Sequence, residues 1–110
     1  MGRRTYGLLV IIGLVSRVLV AAPDAEPLFE TEVLPILRAH CFSCHGEGEQ
    51  PEGGLDLRLV RTLLQGGESG PAIIVGRHGE SLLYQRVVSR EMPPEGKTPL
   101  TAAQLGVISR

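Results

Sequence analysis

Cys41-Phe42-Ser43-Cys44-His45 constrains this chain more than any other run of residues. These are the only two cysteines in 110 residues; they lie three positions apart, and a histidine follows the second. Residues three apart on a helical turn share a face. Both thiols can therefore reach the two vinyl groups on one edge of a porphyrin, and two thioether bonds would fix the ring. His45 is rotated further around the helix and can present a ring nitrogen to the iron. The C-x-x-C-H pattern is the attachment signature of c-type haem.

Three other chemistries use close cysteine pairs. A structural disulfide between Cys41 and Cys44 would close a very small loop and stabilise little. A thioredoxin-like thiol pair normally follows a strand in a βαβ unit, and no such pattern precedes Cys41. A zinc site would have to draw on His40, Cys41, Cys44 and His45. Four ligands within six residues close poorly into a tetrahedron, and no second ligand pair is available. Covalent haem c, one per chain, is the reading that fits the residue types best.

The N-terminal residues point to export. Arg3 and Arg4 precede a 12-residue uncharged run from Thr5 to Ser16, and small residues follow at Ala21 and Ala22. That is the form of a secretory signal, and the run is too short to span a bilayer comfortably. Residues 1–22 are thus expected to be a signal peptide, or else an uncleaved N-terminal anchor; the late charge of Arg17 is atypical for the signal. Residues 23–28 read as a flexible leader and 29–110 as one domain. An exported, periplasmic or equivalent extracytoplasmic location follows, with membrane contact only through that first segment. The chain carries 11 basic and 12 acidic residues. No basic excess exists to neutralise phosphates, which argues against nucleic acid as a partner. The charges are uneven: 22–56 hold eight acids and only Arg38, whereas 57–110 hold seven bases and four acids. Such an asymmetry could steer a partner but is more often a solvated surface.

Beyond the leader the pattern is helical throughout. Phe29, Val33, Ile36 and Leu37 recur at three- and four-residue spacing and predict a first helix from near Pro27 into Cys41. Pro35 should kink it or mark a second start. Residues 46–54 have loop composition. A short helix is predicted from Arg58 to Gln65, with Leu59, Leu63 and Leu64 inward and Gly66 and Gly67 as its stop. Residues 68–75 read as extended loop and 80–88 as another helix. Pro93-Pro94 forbids helix and stiffens the backbone beside Met92. Thr101 and Gln104 form a capping box for a last helix, with Leu100 and Leu105 as its hydrophobic staple. That helix stops at Arg110 and reads as too short to dock fully on the first.

Met92 is the sole methionine after residue 1. Most methionines fill cores, yet this one sits between Glu91 and Pro93 in a stiff loop rather than on an apolar helix face. A thioether across the iron from His45 would give Met/His ligation, which raises the reduction potential. His78, in Gly76-Arg77-His78-Gly79, is the rival ligand, and an open iron site is the third case. His40 is too close to the attachment site to reach the other face. With no Trp, two Phe and two Tyr, the core is thin, and a porphyrin would supply apolar surface. Phe29, Ile36, Leu37, Leu63, Ile73, Ile74, Leu82, Leu83, Leu105 and Ile108 are the expected packing residues. Arg77, Arg86, Arg90 and Lys97 could pair with haem propionates, though such residues are more often exposed charges and none is singled out.

Taken in order, several segments resemble a known family. They are Val33-Leu34-Pro35-Ile36-Leu37, then Cys41-Phe42-Ser43-Cys44-His45-Gly46, then Gly53-Gly54-Leu55-Asp56-Leu57. Gly66-Gly67-Glu68-Ser69-Gly70-Pro71-Ala72, Ser81-Leu82-Leu83 and Met92-Pro93-Pro94 complete the set. From about Phe29 onward the chain resembles the planctomycete-type cytochrome c domain, a relative of class I c-type cytochromes. The resemblance implies an all-α class I-like cytochrome c fold of several short helices around covalently bound haem. It implies Cys41 and Cys44 as attachment sites, His45 as proximal ligand and Met92 as distal ligand. Two departures stand out. Arg58 takes a place where similar domains often have a helix-capping Asp. Similar domains also continue the last helix, commonly through a Trp-Ile pair, and are usually joined to larger domains, so this helix reads as truncated.

The expected function is that of an electron-transfer module rather than an enzyme: single electrons pass through Met/His-ligated iron to a redox partner protein or domain. The alternative is a haem module with an open sixth site, acting as a small-ligand binder, a sensor or a peroxidase-like centre.

Overall fold

The computed structural model describes residues 1–2 and 25–110. The export signal expected over 1–22 therefore lies almost wholly outside the described residues. Among those described, no helix is long and apolar enough to cross a membrane. The described chain is all-helical, with five short α-helices and no strand; an isolated bridge pairs Gly67 with Gly70.

The N-terminal helical pattern is split rather than continuous. A π-helical turn, Phe29–Val33, leads into α1, Leu34–His40. Pro35 lies in the first turn of α1, where its missing N–H is no loss; of the two roles open to it, Pro35 takes that of a second start. Ile36 and Leu37 carry the buried face. Cys41 leaves the helical conformation and serves as N-cap for the four-residue α2, Phe42–His45.

Helix α3, Val60–Gln65, begins two residues later than the pattern predicts. Leu63 is buried, but Leu59 and Leu64 are exposed, as is Ile74. One turn and a half of helix can turn only one leucine into the core, so the expected inward trio reduces to one. No side chain caps α3, consistent with the Arg58 departure. Asp56 instead accepts the Arg58 backbone N–H at 3.0 Å and grips its guanidinium at 3.0 and 2.8 Å. Gly66 ends the helix at φ 74°, ψ −160°, a region open essentially to glycine alone. A Cβ there would run into the Gly70 carbonyl.

Ala72 joins the two halves of the fold. Its N–H donates to Leu63 at 3.0 Å and its carbonyl accepts from Leu83 at 2.9 Å. Helix α4, Leu82–Val88, follows a 3₁₀ turn at His78–Glu80. The buried Ser81 hydroxyl accepts the Ile74 N–H at 2.8 Å and lies within bonding reach of the Arg77 carbonyl.

Helix α5, Ala102–Ser109, has the predicted capping box. Thr101 Oγ1 accepts from Gln104 N–H at 3.2 Å, and Gln104 Oε1 accepts from Thr101 N–H at 2.9 Å. Despite its length, α5 docks: it packs on the Phe29–Val33 turn and on α4. Arg110 reaches Glu32 at 3.8 Å. The core is Leu37, Phe42, Leu57, Leu63 and Ala72, flanked by Phe29, Val33, Ile73, Leu83 and Ile108 among others. Phe42, Leu57, Ala72 and the buried Val87 are additions to the expected set.

Candidate functional site

A cleft of about 320 Å³ is lined by the cysteine-histidine motif, by the 52–57 and 67–72 segments, by α4 and by residues 92–97. Cys41, Cys44 and His45 reach it from one short element. Phe42, between them, is buried and packs into the core. That division of labour explains the spacing: the helical turn sends Phe42 inward while both thiols and the imidazole stay at the cleft. Cys41 and Cys44 are both free and half-buried. Burial pushes the Cys41 thiol up to about 11, and the nearby Cys44 adds to the rise. At neutral pH Cys41 is therefore a neutral thiol, poorly disposed to disulfide exchange.

His45 is oriented from behind. Its Nδ1 lies 3.0 Å from the Glu52 carbonyl. A carbonyl only accepts, so Nδ1 carries the proton and Nε2 is the nitrogen left to act as a ligand. The Leu57 N–H donates to the His45 carbonyl at 2.8 Å, holding the backbone as well. Glu52 can offer its carbonyl because Gly53 and Gly54 turn the chain at φ 64° and 66°. The Gly53 carbonyl then accepts from Glu68 N–H at 2.8 Å, tying this loop to the next. Sequence reasoning missed the Glu52 contact, since a backbone acceptor leaves no side-chain signature; the Gly53-Gly54 pair was its only trace.

Met92 lines the same cleft and is half-buried. Its N–H donates to the Arg86 carbonyl at 3.0 Å, which fixes it to the end of α4. His78 does not line this cleft. It lies edge-on to Tyr84, ring centroids 4.7 Å apart, along a second cleft on another face. His40 lines the first cleft, and its Nδ1 lies 3.0 Å from the Thr98 carbonyl. Of the four basic candidates, Arg86 and Lys97 line the cleft, whereas Arg77 pairs with Glu80 at 3.3 Å.

Among the described residues, no three His, Cys, Asp or Glu side chains converge to hold a metal ion by themselves. The zinc set His40, Cys41, Cys44 and His45 is accordingly not assembled. The same cleft suits a large apolar ring. Leu55, Leu57, Ala72, Leu82, Leu83 and Val87 form its walls. Two thiols stand at one element, one oriented imidazole beside them, and a thioether comes from another element. This donor set fits haem c.

The family described as Planctomycete cytochrome C matches residues 41–96, just over half of the chain. The match starts at the first cysteine of the motif and runs past Met92. No curated protein and no solved structure matches.

Proposed function

This chain belongs to the planctomycete cytochrome c family, and from that premise we propose that it binds one haem covalently and passes single electrons through it. The observation that carries the reading is the shared cleft, which Cys41, Cys44, His45 and Met92 line and His78 does not. Bound haem supplies an iron that changes oxidation state by one electron. The chain's own residues do the rest. Cys41 and Cys44 hold the ring edge through thioether links. His45 offers Nε2, aimed by the Glu52 carbonyl, and that hydrogen bond raises its strength as a donor. Met92 offers a neutral, soft sulfur, which favours the reduced metal and a higher potential. The leucine walls limit solvent access, which tunes the potential further.

The domain is thus read as an electron carrier working with a redox partner protein or domain, outside the cytoplasm. Holoprotein made in a host with a haem c maturation system tests attachment. After denaturation and acid–acetone extraction the colour should stay with the polypeptide; colour in the extract would overturn the covalent reading. Met92→Ala tests the sixth ligand. Loss of the thioether-to-iron absorption band is expected. An unchanged spectrum would remove Met92 and leave the open-site alternative: a small-ligand binder, a sensor or a peroxidase-like centre.

A further inference from the structure

The loop that carries Met92 is held at few points. At its start, the Met92 N–H donates to the Arg86 carbonyl. Pro93 and Pro94 follow and have no N–H to give. A turn closes between the Lys97 N–H and the Pro94 carbonyl at 3.1 Å, within the loop itself. Among the described residues, one hydrogen bond ties 93–100 to a distant part of the chain. It runs from His40 Nδ1 to the Thr98 carbonyl across 58 positions. His40 is the last residue of α1, adjacent to Cys41 and at the rim of the same cleft. The bond therefore joins the element bearing the two thiols and the imidazole to the loop bearing the thioether.

Stiffness makes this bond matter. Pro93 and Pro94 stiffen the first part of the stretch from Met92 to Thr98. Beyond them Gly96, at φ 87°, lies inside the turn closed by the Lys97 N–H and the Pro94 carbonyl, so Thr98 is coupled to Met92 through a short closed segment. We propose that His40 is a positioning residue: its hydrogen bond to the Thr98 carbonyl keeps the Met92 loop on the cleft and the Met92 sulfur competitive for the metal. The carbonyl can only accept, so His40 donates from Nδ1. An Asn side-chain amide can stand in for that N–H, and Leu cannot. This inference rests on Met92 as the sixth ligand.

The test uses ferric holoprotein and imidazole as the competing ligand, following loss of the thioether-to-iron band. His40→Leu should be displaced at about three- to tenfold lower imidazole, the span expected for one net hydrogen bond. His40→Asn should return the midpoint to that of the unaltered protein. His40→Ala serves in place of His40→Leu if the leucine variant does not mature. An unchanged midpoint without the donor would overturn the role. So would His40→Asn behaving like His40→Leu, since ring packing and not the bond would then be responsible. Met92→Ala measured alongside separates the two failures. A band that persists there sinks the Met92 reading itself; a band lost there, with His40→Leu unchanged, sinks only the role of His40.

Discussion

Asp56 orders the turn that leads into α3 without capping the helix. It stands two residues ahead of Arg58 and takes both the Arg58 backbone N–H and the guanidinium. The hydrogen bonds from Arg58 hold the Asp56 carboxyl below its ordinary value of 3.8, with charge attraction adding to them. A depressed value in the folded state means stability that is fully present above the unfolded value and lost as pH falls through the folded one. Asp56→Asn should therefore flatten the acid-unfolding limb below about pH 4, read by circular dichroism against pH. The loss should be greatest at neutral pH, where that contribution is fully present, and modest even there because solvent screens the pair; it should vanish in acid. Gly66 is a position of a different kind. Its conformation and the nearby Gly70 carbonyl exclude any side chain. Gly66→Ala should cost about 2 kcal/mol or more in thermal unfolding, from backbone strain together with overpacking.

At the scale of elements, this fold is built from helices too short to persist alone. None of the described α-helices exceeds eight residues, below the length at which isolated helices hold together in water. Each therefore depends on its ends and on its neighbours. Helix α5 relies on the Thr101 and Gln104 box and on its contact with the Phe29–Val33 turn. Thr101→Ala should lower stability by about 1 kcal/mol, measurable as a reduced Tm of the holoprotein. Helix α4 ends with Arg90 at φ 64°, a conformation that a non-glycine residue adopts at a cost. Its last carbonyls are engaged by Arg90 and Met92 N–H groups. The capping box and the glycine stop of α3 were legible in the sequence because they are local. The partition of Leu59, Leu63 and Leu64 was not, because it depends on which face of a six-residue helix meets the rest of the chain.

For the whole molecule, the core is small: Leu37, Phe42, Leu57, Leu63 and Ala72 form its centre. Leu37 is the most enclosed, and Leu37→Ala should cost about 2–5 kcal/mol in denaturant unfolding. Leu55, Leu82, Leu83 and Val87 add apolar surface along the cleft. A domain of this size with so thin a centre needs a further source of apolar contact. Chain prepared without haem, through Cys41→Ala with Cys44→Ala, should consequently unfold at a lower temperature and less cooperatively than holoprotein. Calorimetry of the two forms reads this directly, and equal transitions would show the protein core to be sufficient alone.

The attachment motif, the all-helical class and the order of the helices follow from the sequence by itself, since they rest on spacing within a few residues. That Met92 is the one methionine after residue 1 is read from the sequence in the same way. Tertiary structure alone decided that Met92 and not His78 lines the cleft with His45. It alone paired His45 with Glu52 and His40 with Thr98, through backbone carbonyls. The physical reason is that packing between distant segments decides both which side chains share a cleft and which carbonyl meets an imidazole. Every residue has a backbone carbonyl, so which one faces a given imidazole is set by how distant segments pack and leaves no mark on residue type.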